Sequence, residues 1–396
     1  MDSSYLNVLE KYTDETPIED LQYRSYLPFS TTALSNGDQI RIAVQNTDSY
    51  TLLCDSFIYI EGEVKISGSS GEIAIANNGL AFLFDSISYE MNGIEIQKVK
   101  DPGITSLLKG YCSYSLNDVN NLQNAYWDAN TTPNDYSKTN FTFSGCIPLS
   151  HIFGFCEDYR KILIQVNHQL VMNRALNDRA ALRAKLTEGV TWASEEAKEL
   201  LKSSIVLTKV VLKLPVARVN DREKLKLLKI VETRKNIYCA FRNWDLYVYP
   251  ELPNVEKTSW MVKTSSNIDR PRYLIIAFNT RKSTDSGDRT QQLDSCSLVN
   301  LKVHLNSSEY PYENFNENFD KKLITLFYQN YVNFQQTYYE RRKSKPLFNK
   351  EEFLKYGPVF CIDCTRQKDD VKTSTIDLRI DFESSSKFPE NTTAYC

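Results

Sequence analysis

Residue types able to do chemistry are sparse in this chain. Cys361-Ile-Asp-Cys364 is its one C-x-x-C. That spacing serves dithiol redox centres at helix N-termini and half of a zinc site on a turn. Pro358-Val-Phe, just before it, favours an extended strand instead. In a strand, residues three apart point to opposite faces and their Cα atoms lie about 10 Å apart. A disulfide needs them within about 7 Å. No second C-x-x-C and no nearby histidine completes a metal set. The pair therefore reads as two strand thiols, with Phe360, Ile362 and Cys364 on one face and Val359, Cys361 and Asp363 on the other. A buried Asp363 would need a partner, and Arg366 or a Lys or Arg from the neighbouring half could supply a structural ion pair.

His151, His168 and His304 are the only histidines, and no two have metal-ligand spacing. Packed or hydrogen-bonded strand positions are the expectation for His168 and His304. A Ser-His-Asp set is a spatial object that the sequence does not announce. Carboxylates are abundant, but none is paired in a way that marks glycoside hydrolysis. There is no Gly-x-x-x-x-Gly-Lys and no Gly-x-Gly-x-x-Gly, and Gly68-Ser-Ser-Gly71 reads as a turn. The expectation is a protein that is not an enzyme, with no catalytic, cofactor-binding or metal-binding residues and no cofactor.

The bulk numbers agree with a structural role. With 47 basic against 50 acidic residues, the net charge is −3 over 396 residues, without the basic surplus of a phosphate-gripping protein. Strong direct nucleic-acid binding is therefore not expected. The 24 Tyr and 19 Phe suit sheets and large interfaces. No stretch approaches the ~18 consecutive apolar residues of a membrane span. The polar, acidic start, MDSSYLNVLEKYTDE, is not a signal peptide. The nine cysteines are then read as reduced thiols, the sequons at Asn130, Asn140, Asn306 and Asn391 as chance matches, and the chain as soluble and not secreted.

The elements that must position these residues are mostly strands. In Ser56–Ile66, Ile58, Ile60, Val64 and Ile66 share one face while Glu61, Glu63 and Lys65 share the other. Leu80–Met91 leads into Asn92-Gly93, a type I′ hairpin signal, and then into a second alternating run. Further strands are expected at Gly37–Gln45, Phe141–Ile147, Arg160–Val171, Ile205–Leu214, Ile237–Tyr249, Arg272–Asn279, Leu298–Leu305, Pro358–Cys364 and Ser374–Phe382. About a dozen short strands between polar turns point to sandwiches. Helices are expected at Ser194–Ser203 behind a Ser194 cap, at Asp221–Ile230 behind an Asp cap, and at Asp320–Arg342 with a buried aromatic stripe. Two long polar insertions, Ser113–Asn140 and Thr280–Asp294, are expected to be exposed.

Several phrases together resemble one family. "FSGCIPLSHIFGFCEDYRKIL" (Phe143–Leu163), "VHLNSSEYPYENFN" (Val303–Asn316) and "PVFCIDCTRQKDD", followed by "STIDLRIDFESSSKFPENTTAYC" to the end, are similar to segments of double jelly-roll major capsid proteins. Those of Polinton/Maverick elements and adintovirus-like viruses, often endogenised in animal genomes, are the nearest in kind. The resemblance implies an all-β fold of two jelly-roll β-sandwiches side by side, with a few helices in connections. It implies an N-terminal arm at 1–25, a first jelly roll at 26–216 and a second at 217–396. It further implies a homotrimer with pseudo-hexameric outline that tiles an icosahedral virion shell, and capsomer–capsomer contacts with copies of itself. A separate penton or minor capsid protein and synthesis in a host cytoplasm with nuclear assembly complete the picture. Family members continue past the Ala-Tyr phrase into another strand, so the ending at Cys396 implies a truncated or decayed copy with an open sheet edge. The alternative is a jelly-roll carbohydrate-binding or adhesion module using exposed Tyr126, Trp127 and Tyr136; a hydrolase is a distant third.

Overall fold

Alternation along Phe57–Lys65 turns Ile58, Ile60 and Val64 into the core, where each is fully buried. In the computed structural model, which describes residues 17–29, 34–45, 50–128, 135–192, 194–265, 271–280, 293–340, 343–366 and 376–396, this strand lies between Phe141–Pro148 and Ser204–Val219. Tyr50–Thr51 and Leu163–Ile164 extend the same sheet. Ile18–Tyr26, all but its last residue in the span expected as an arm, pairs with the Leu212–Val219 half of the long strand.

A second sheet runs in the order Gln39–Val44, His168–Arg174, Phe84–Met91, Ile94–Lys100. Its last two strands are joined through Asn92 and Gly93 at φ 50° and 79°, with Met91 opposite Ile94, the tight hairpin that Asn-Gly predicts. Ile40, Ile42, Leu170 and Met172 from this sheet share one apolar core with Ile58, Ile60 and Val64. Thr51 and His168 tie the two sheets by a 2.9 Å hydrogen bond. Leu182–Leu186 and Gly71–Ile75 form a small third sheet beside them.

The second half repeats the plan. One sheet has the order Val248–Tyr249, Thr393–Tyr395, Tyr273–Asn279, Phe360–Asp363, and the other Lys257–Ser265, Ile376–Ser384, Leu298–Leu305, Ser308–Tyr310. Phe278 of the first meets Phe382 of the second with ring centroids 5.3 Å apart. Every strand pair in both halves is antiparallel. Thr393–Tyr395 pairs with Val248–Tyr249 on one side and with Tyr273–Asn279 on the other.

Several expected elements are corrected. Ser113–Asn140 is not an exposed insertion at its start: Leu116–Leu122 is a helix with a Ser115/Asp118 capping box, and Val119, Leu122, Ala125 and Trp127 are buried. Of Ile237–Tyr249 only Val248–Tyr249 is a strand; Tyr247 exchanges backbone hydrogen bonds with Cys396 beside it, and the residues before Tyr247 form no strand. Arg160–Val171 divides into Leu163–Ile164 and the strand beginning at His168. Asn220, not Asp221, caps the helix Asp221–Glu232. The aromatic helix is Thr325–Tyr338, burying Phe327, Tyr331, Phe334 and Tyr338 but leaving Leu323 exposed. Most of Thr280–Asp294 lies outside the described residues.

Candidate functional site

The side chains with unusual environments converge on the seam between the two sandwiches. The helix Pro102–Ser113, buried at every residue, lies on the first-sandwich side, and Thr325–Tyr338 lies on the second. Tyr331 donates its hydroxyl to the Tyr111 carbonyl at 3.0 Å and accepts from the Phe348 N–H at 3.1 Å. Gln335 donates to the Tyr114 carbonyl at 2.9 Å and accepts from the Lys345 N–H at 2.8 Å. The bonds to the Tyr111 and Tyr114 carbonyls satisfy backbone groups of the first half with side chains of the second, while those from Phe348 and Lys345 hold the two side chains in place within the second.

Charges are buried in the same seam. Lys109, with 1% of its side chain exposed, lies 2.8 Å from Glu157 and donates to the Ser150 carbonyl at 3.1 Å. The Tyr339 hydroxyl donates to the other Glu157 oxygen at 2.7 Å. Next to them, Arg242 grips Asp158 through its backbone N–H, Nε and Nη2, donates to the Tyr338 carbonyl, and lies 3.7 Å above the Tyr338 ring. Burial alone would raise the Asp158 carboxyl, but the Arg242 hydrogen bonds outweigh it and hold the group below the ordinary carboxylate range. Gly154 permits this docking, because a Cβ there would overlap the Arg242 carbonyl oxygen.

Each histidine has a side-chain partner in the fold. His151 Nε2 donates to Asn78 Oδ1 at 3.1 Å and Nδ1 accepts from the Tyr114 hydroxyl at 2.7 Å, the arrangement of a neutral ring. Burial, reinforced by Lys109, lowers its pKa to about 3. Burial lowers His168 to about 4. His304 Nε2 faces Asp381 at 2.7 Å, and Ser259 bonds the other oxygen of that carboxylate. The order is therefore Ser–Asp–His, and the serine is not activated by an imidazole.

Cys361 and Cys364 are both buried, in and just after Phe360–Asp363. Phe360 packs on Phe327 at 4.9 Å and Phe278 at 5.9 Å. Cys361, one residue on and therefore on the opposite face, meets Cys112 of the seam helix with sulfurs 3.4 Å apart. Asp363 corrects the ion-pair expectation: it is exposed, and its carboxylate caps a turn by accepting from the Thr365 N–H and hydroxyl. Among the described residues no group of three or more His, Cys, Asp and Glu is placed to hold a metal ion. Nor is any described helix long and apolar enough to cross a membrane. Of the three aromatics of the sugar-binding alternative, Trp127 is fully buried, edge-on to Tyr114 and Tyr111.

Apolar surface remains uncovered elsewhere. The helix Asp221–Glu232 buries no residue, and Leu225, Leu228, Ile230 and Val231 are exposed on it. Ile237 and Tyr238 follow, the latter 86% exposed. The strand Ile18–Tyr26 exposes Ile18, Leu21 and Tyr23, and the Pro17 carbonyl beside it accepts from the Asn220 N–H at the helix start. A 12-residue helix without buried contacts is marginal on propensity alone. What this surface can do is associate.

The fold has known counterparts. A chain from the Sputnik virophage superposes with a TM-score of 0.63 at 9% identity, covering 99% of this chain and 88% of that one. The Faustovirus major capsid protein gives 0.55 at 9% identity, over 98% and 91%. The mavirus major capsid protein gives 0.51 at 12% identity, over 99% and 89%. No curated protein matches the sequence. The family profile described as double jelly roll-like domain matches residues 73–396. With most of its length under that profile and two antiparallel sandwiches locked through a buried seam, the chain belongs to the double jelly roll-like domain family.

Proposed function

We propose that this chain is a major capsid protein, a structural subunit that performs no catalysis. Three copies form a capsomer of pseudo-hexameric outline, and capsomers tile an icosahedral shell. The observation that carries the reading is the double jelly roll matched over nearly the whole chain to a Sputnik virophage chain and to the mavirus and Faustovirus major capsid proteins. The uncovered apolar strand and helix supply a surface for contacts between copies. Obligate contacts of this kind bury on the order of 2,000–5,000 Å². The working division is an arm at 1–25, a first roll at 26–216 and a second at 217–396. Net charge near neutrality fits a shell that does not itself grip the genome. Within the same reading, a separate penton or minor capsid protein closes the vertices, and assembly takes place in a host nucleus after cytoplasmic synthesis. Nearness to the Polinton/Maverick and adintovirus branch is part of this proposal.

Negative-stain microscopy of the expressed chain tests it. Discs with three-fold symmetry and six-sided outline, or closed shells, are the expected objects. Fields holding only single protomers at high concentration would overturn the reading.

A further inference from the structure

The seam holds two thiols whose placement has a chemical consequence independent of assembly. Cys112 lies in the last turn of Pro102–Ser113, on the first roll, and Cys361 lies in Phe360–Asp363, on the second. They are 249 residues apart in sequence, both buried, and their sulfurs stand 3.4 Å apart in a thiol–thiol hydrogen bond. A disulfide bond is about 2.05 Å, so closure asks for an approach of roughly 1.4 Å. Side-chain rotation at two sites can supply that without moving either backbone element far. The partner suggested by sequence spacing, Cys364, is across the strand from Cys361, on the side facing away from Cys112.

We propose that Cys112 and Cys361 are a cross-linking site, at which a small peroxide oxidant joins the two rolls covalently. One thiol, as thiolate, attacks a peroxide oxygen, giving a sulfenic acid and, with the released proton, one water. The second thiol attacks that sulfur, forming the S–S bond and releasing a second water. The balance is two thiols and one peroxide to one disulfide and two waters, with two electrons passing from sulfur to peroxide oxygen. Burial pushes the Cys112 thiol well above its ordinary range. The reaction is accordingly slow and selective for an oxidant small enough to enter the seam. Once closed, the bond ties residues 112 and 361 into one ring and restricts the unfolded chain, so the rolls no longer part independently.

The test uses the full chain with the exposed Cys239 replaced, C239S, to suppress linking between copies. It is incubated with hydrogen peroxide, then unfolded in urea with an alkylating agent and without reductant. The expected product has lost about 2 Da and two alkylatable thiols, and its peptide map contains one linked pair, Cys112 with Cys361. That pair is absent in C112S and in C361S, remains in C364S, and is reversed by reductant. The proposal is overturned if Cys112 and Cys361 are both recovered alkylated after oxidation, or if Cys361 is found linked to Cys364. The map of the C239S chain decides the matter by itself should a further substitution prevent folding.

Discussion

Lys109 is a buried charge on the first-roll side of the seam. Its ammonium is held by Glu157 and the Ser150 carbonyl in a place water does not reach. Removing one partner of a buried pair strands the other, at a cost of about 3–5 kcal/mol. Lys109→Met should therefore lower the unfolding free energy in urea by about 3 kcal/mol, and adding Glu157→Gln should restore much of it; equal losses in single and double variants would refute the pairing. The buried imidazoles set the pH response. Their folded pKa values, about 3 for His151 and about 4 for His168, lie below the 6.5 of an unfolded imidazole. The unfolded chain then binds more protons between those limits, so stability is full above pH 6.5 and falls as the solution is acidified toward pH 4. Each ring contributes a slope of up to about 1.4 kcal/mol per pH unit. Urea midpoints measured from pH 7 to pH 5 should fall, and His168→Gln should make the fall shallower; a flat profile would contradict the neutral buried rings. Little of this was legible in the sequence. Cys361 could be placed on its strand face by alternation, but Cys112, 249 residues away, offered no local signal. Asp363 looked buried from its neighbours, yet it lies where the strand ends and turns outward.

At the scale of elements, sequence reading succeeded where one face of a segment is wet. Phe57–Lys65 and Ile94–Lys100 alternate because each has a solvent side, and Asn92-Gly93 needs positive φ at both turn positions. The helix Pro102–Ser113 was invisible for the opposite reason: it is buried all round and has no polar stripe to mark its period. Ile237–Tyr249 carries strand-like residues, but most of it finds no neighbouring strand to pair with, and β propensity without a partner makes no sheet. Asp221–Glu232 was legible as a helix, while its lack of any cover was not. Leu225→Glu with Leu228→Glu should leave protomer stability within about 0.5 kcal/mol, because neither side chain is buried in the protomer. The same pair should disrupt association of copies, as read by sedimentation. Unchanged association in a folded double variant would remove this helix from the interface.

At the scale of the whole molecule, two sandwiches are joined by a seam that combines hydrogen bonds to backbone groups, the partly buried Arg242–Asp158 ion pair and packed aromatic rings. Tyr331, Tyr339 and Arg242 each bond across it, and Gly154 lets the Arg242 segment lie flush against the first roll. The proposed role as a subunit of a tiled shell would call for such rigidity, since small rotations between the halves would spoil lattice registry. The apolar surface left over on Ile18–Tyr26 and Asp221–Glu232 then has one role in this account, to meet other copies. Light scattering coupled to size exclusion, run over a range of protein concentrations, tests that most directly. The proposed trimer requires a mass three times that of the 45.7 kDa protomer, or larger closed assemblies built from that unit. A well-folded species that stays at the protomer mass at every concentration would contradict it.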